Sequence, residues 1–109
     1  MNEGWLRVPD QDLTRSAWEE LRFVYDPELG LNVVDLGLVY RLQVASGEVE
    51  VDMTLTTPGC PMGETMPEAV RQALFMLPGV KEVHLRLVWE PRWEPEMMSD
   101  AARRELGWF

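Results

Sequence analysis

The 109-residue chain carries 10 Lys and Arg against 19 Asp and Glu, a formal charge of −9. That field repels polyanions, and no basic cluster with interleaved aromatics stands out, which disfavours nucleic acid and anionic membrane surfaces as partners. An apolar share of 46%, with no run near the roughly 20 apolar residues of a bilayer span, argues against disorder and against a membrane span.

The start, "MNEGWLRVPDQD", lacks the basic opening and apolar stretch of a secretory signal. One cysteine, Cys60, gives no disulfide framework. These features predict a cytoplasmic protein with a single domain over residues 1–109, long enough for one core.

From 13 to 25, Leu13, Ala17, Leu21 and Val24 recur at helical spacing while Glu19, Glu20 and Arg22 fall off the stripe. Asp12 or Thr14 is the expected cap, and Pro27 disfavours helical geometry at Asp26, so the helix should stop near Tyr25. Period-two patterning follows: Leu38, Tyr40, Leu42 and Val44, then Val49, Val51, Met53 and Leu55. With Ser46-Gly47 between the runs, this predicts a β-hairpin with one apolar and one charged face. The sheet should therefore be covered on one side only.

Met66, Ala69, Val70, Ala73, Leu74 and Leu77 mark a second helix, with Thr65 and Glu68 spaced as a capping box. Val83, Leu85, Leu87 and Trp89 predict a third strand, with Trp89 in the core. Were strands two and three parallel, the helix between them would be a right-handed crossover. After a proline-broken stretch to Pro95, Ser99 can cap a short helix through Leu106 that Gly107 stops. The expected fold is α+β: a two-layer sandwich in the order α-β-β-α-β, with a short C-terminal helix.

Cys60 stands between strand two and helix two, in "LTTPGCPMGETMPEAV", stiffened by Pro58 and Pro61. Strand ends of this kind host binding sites in crossover sheets. Three readings of the thiol stay open: a packed corner residue, a nucleophile, or a metal ligand. A helix start would favour the thiolate, but the capping box sets that start at Thr65, several residues on. No CxxC is present, so one chain supplies neither a dithiol nor a four-cysteine zinc site. An iron–sulfur cluster normally takes several thiolates. A single one demands a bridged dimer, other ligands, or a cluster shared with a partner.

His84, the chain's one histidine, falls on the polar strand face. Asp26, Glu28 and Asp35 make an acidic stretch before the first strand, suited to turns. A carboxylate opposes ionisation of a nearby thiol, so Asp35 would serve a bound metal better than a bare nucleophile.

Read together, "DPELGLNVVDLGLVY", "LTTPGCP", "LPGVKEVHLRLVWEPRW" and "MMSDAARRELG" resemble the SufT/PaaD-like metal–sulfur cluster biosynthesis family. Its eukaryotic relatives are adaptors in cytosolic iron–sulfur protein assembly. The resemblance implies Asp35 and Cys60 as the functional pair, with Thr57 flanking the cysteine and Asp26 and Glu28 shaping the adjoining loop. It implies no enzyme activity, but a transient iron–sulfur cluster or iron as cargo. The implied partners are assembly proteins or client apo-proteins, with a homodimer as one arrangement. Without the cysteine-rich extension typical of the phenylacetate-pathway members, the likeness is to the short stand-alone branch. Trp89, Trp93 and Trp108 are candidate interface anchors.

Overall fold

A computed structural model of the chain describes residues 10–26, 29–56 and 65–107. Helix α1 spans Gln11–Leu21, strands β1 and β2 span Val39–Ala45 and Glu48–Met53, and helix α2 spans Thr65–Phe75. Strand β3 (Glu82–Leu87), a 3-10 turn at Pro95–Met97 and helix α3 (Asp100–Leu106) complete the order. The α+β order matches the sequence reading. None of the described helices is long and apolar enough to cross a membrane.

The sheet order is β1-β2-β3, antiparallel between β1 and β2 and parallel between β2 and β3. This places β3 beside β2, a choice that alternation alone leaves open. Ser46 and Gly47 both take positive φ, 54° and 79°. That backbone matches the right-handed twist of the two strands it joins.

Alternation decides which face is covered. Leu42, Val44, Val49, Val51 and Met53 point inward with Ala17, Leu21, Val70 and Leu74 to form the core. Helix α1 packs on β1 and on α2, and α2 packs on β3. On the other face Asp52 is bracketed across the strands. Arg41 Nε lies 3.1 Å from Oδ2, and Arg86 Nη2 and Nε lie 2.9 and 3.2 Å from Oδ2 and Oδ1. The Arg86 guanidinium, assisted by Arg41, holds the Asp52 carboxyl below its ordinary range.

Several boundaries differ from expectation. Helix α1 starts earlier, because Asp10 is its cap: Oδ1 accepts from Leu13 N at 2.9 Å. Asp10 N also donates to Val44 O at 2.8 Å, which ties the helix start to the edge of β1. The helix ends at Leu21 rather than near Tyr25. Residues 24–26 pair with residues 31–33 instead, with Val33 N donating to Val24 O and Asp26 N to Leu31 O. On α2 the Glu68 carboxylate meets Arg71, three residues on, with Nε at 3.0 Å and Nη2 at 2.5 Å.

Trp89 is 40% exposed, not core. Strand β3 stops at Leu87 and the chain turns away after Val88 N bonds Met53 O, which breaks the alternation two residues early. Trp93 is a packing residue whose Nε1 donates to Leu36 O at 2.7 Å. Trp108 lies outside the described residues. The tail behaves as its sequence predicts: Ser99 Oγ accepts from Ala102 N, and Gly107 closes the helix.

Candidate functional site

Of the residues read as a site, Asp26 and Asp35 are described, while Glu28, Thr57 and Cys60 lie outside the described residues. The two aspartates sit on one connection, between α1 and β1, and do different jobs. Asp26 is 8% exposed, and its Oδ1 accepts from Leu29 N at 3.1 Å. Its own carbonyl accepts from Gly30 N, so backbone and side chain together build the turn.

Asp35 is presented more openly, with 24% of its side chain exposed. Its orientation comes from Asn32 through a reciprocal pair of hydrogen bonds. Asn32 Nδ2 donates to Asp35 Oδ2 at 2.7 Å, and Asp35 N donates to Asn32 Oδ1 at 2.9 Å. Arg22 Nη1 stands 3.4 Å from Oδ1, reaching in from the end of α1. Its side chain is 55% exposed, so the ion pair orients the carboxylate more than it stabilises the fold.

The turn carrying Asp35 is anchored on both sides. Leu36 and Leu38 are fully buried, and Leu38 O accepts from Thr54 N at the exit of β2. Asp35 O accepts from Ser99 N at 2.8 Å, which brings the cap of α3 onto the same turn. Gly37 (φ +76) passes so close to Met97 that a Cβ there would run into the Met97 carbonyl. The carboxylate is therefore held on a packed support at the end of the sheet where β2 leaves for residues 57–64.

Sequence reasoning missed Asn32 and Arg22. Asn32 had a signal, because an Asn three residues before an Asp suits an Asx turn with a reciprocal side-chain bond. Arg22 had none, since its partner is 13 residues away. An oriented, partly exposed carboxylate can serve as an oxygen ligand or steer a proton. Alone it would not retain a soft metal centre, which needs sulfur.

A family model described as "Iron-sulfur cluster assembly protein" matches residues 15–85. An Fe-S protein maturation auxiliary factor from Porphyromonas gingivalis is 45% identical to this chain over 110 residues, with 100% of both covered. The Fe-S protein maturation auxiliary factor SufT from Staphylococcus aureus is 45% identical over 85 residues, 77% of this chain and 97% of that protein. The crystal structure of a domain of unknown function, DUF59, from Bacillus anthracis matches with a TM-score of 0.85 at 35% identity. It covers 89% of this chain and 93% of its own. With the fold and these matches in agreement, the chain belongs to the iron–sulfur cluster assembly protein family.

Proposed function

We propose that this chain is an accessory factor in iron–sulfur protein maturation, helping assemble a cluster or pass it to client proteins. Cys60 is its thiol contact and Asp35 the carboxylate beside that step. The observation that carries the reading is the likeness, over its whole length, to a protein named as a maturation auxiliary factor. The held carboxylate of Asp35 supports it, because a site that meets cargo needs a pre-set ligand rather than a mobile one.

The chemistry favours transfer over storage. Clusters are normally held by several thiolates, and this chain has one cysteine. Further ligands must come from a second copy, a partner protein or a non-thiol group. Such a shared site is weak by construction, and a weak site releases its cargo to a client that offers a full thiolate set. In this role the cluster is substrate and the domain performs no covalent chemistry on it. A thiol-enzyme reading would require a base for Cys60. The one histidine, His84, is close to Glu48 and Glu82 near the hairpin end of the sheet.

Anaerobic activation of an apo-client by a cluster donor tests the proposal. Wild-type protein should accelerate activation, Cys60→Ala should remove the acceleration, and Asp35→Asn should reduce it by about tenfold, in the range typical for loss of a metal-site supporting group. If Cys60→Ala accelerates activation as well as wild type, the thiol contact is wrong and the domain acts only by docking.

A further inference from the structure

The charged face of the sheet has a second feature besides the Arg41–Asp52–Arg86 row. Glu48 on β2 lies directly opposite Glu82 on β3, and Glu50 lies opposite His84. Glu82 and His84 are two residues apart on one strand, so they share the open face with Glu48. One ligand atom from each of the three lies within 4.8 Å of the others. His84 Nε2 is 3.4 Å from Glu48 Oε1 and 3.6 Å from Glu82 Oε2.

The two separations from His84 are close to those within a coordination sphere. With metal–nitrogen and metal–oxygen bonds of about 2.0–2.1 Å, a tetrahedral ion sets neighbouring donors about 3.3 Å apart. Two like charges directly opposite in a sheet also repel, and a cation between them reverses the sign of that interaction. A neutral imidazole with two carboxylates is a donor set for zinc and its first-row neighbours, whereas calcium and magnesium prefer oxygen alone.

We propose that Glu48, Glu82 and His84 form a surface site for a divalent first-row transition-metal ion, with zinc as its simplest occupant. The side chains are 35%, 64% and 53% exposed, so the ion enters from solvent and completes its sphere with water. Arg86, two residues along β3 from His84, pairs with Asp52. The site lies at the hairpin end of β2, whose six residues span roughly 17–20 Å to the end nearer the Asp35 turn. It is therefore separate from the Asp35 turn, and Cys60 is not among its three ligands.

The test is titration of the full chain carrying Cys60→Ala, which removes the thiol as a competing ligand, with zinc and with cobalt(II). The expected result is one ion per chain, with cobalt d–d absorbance and no sulfur charge-transfer band. Changes in the second shell alone cost about 10–100-fold in metal affinity. His84→Ala and Glu82→Gln should therefore each weaken binding by at least about tenfold. Because the chain has one histidine, the imidazole NMR signals of the wild-type protein give an independent readout, and zinc should shift them. Unmoved imidazole signals, or unchanged affinity in both variants, would overturn the proposal. So would the absence of binding at about 1 mM zinc, a very weak limit for a specific site.

Discussion

On the helix-covered side of the sheet, Val44, Val49, Val51 and Met53 are each 1% exposed or less. On the open side the same strands place Arg41, Asp52 and Arg86 in register with one another across all three strands. The covered face is held by loss of contact with water, worth about 1.5–3 kcal/mol for each fully buried large side chain and indifferent to direction. The open face is held by forked hydrogen bonds that hold only when one residue lies opposite another. A slip of one residue would expose Val49 and Val51 and also unpair Asp52. Burial supplies most of the stability, and the charge row adds to the choice of register.

Truncating the covered face should show the largest effect. Leu74→Ala, at a fully buried α2 position, should lose about 2–5 kcal/mol, read from the urea midpoint. Gly37→Ala comes next, at a cost of at least about 1–2 kcal/mol, because a side chain at φ +76 meets the Met97 carbonyl. It should also disturb the Asp35 turn, visible as shifts in the Asn32 side-chain amide resonances.

Asp52→Asn should cost only about 1 kcal/mol, because both arginines are solvent-facing and screening weakens the pair. Its pH dependence gives a sharper test. The arginines lower the Asp52 carboxyl in the folded state. Its contribution is therefore complete above the unfolded value of about 3.9 and fades as pH falls through the folded value. Stability curves of wild type and Asp52→Asn should converge below about pH 4. If Asp52→Asn proved as damaging as Leu74→Ala, the contrast between the two faces would fail.

Much of the fold was legible because it rests on local periodicity. The hairpin at Ser46-Gly47, the inward positions of β1 and β2, and the Ser99 cap all follow from neighbours within a few residues. Asp35 and Asp26 were legible as an acidic loop, but their division of labour was not. Asp26 is buried where residues 24–26 pair with residues 31–33, and Asp35 is aimed by Asn32 and Arg22. The early start of α1 escaped for a similar reason, since Asp10 is fixed by a bond to Val44, 34 positions away. Trp89 failed as a core residue because β3 ends on a bond to β2 rather than where its alternation ends.

By itself the sequence determined which residues seek burial and where the chain turns, because side-chain polarity and backbone preference act between near neighbours. It also determined the family likeness, through blocks of residues standing in a given order. Only the tertiary structure decided that β3 lies beside β2, which brings Glu48, Glu82 and His84 together and sets Asp52 between two arginines. The β2–β3 contacts among these join strand partners 34 positions apart, and nothing in a local pattern encodes which distant strand will become a neighbour.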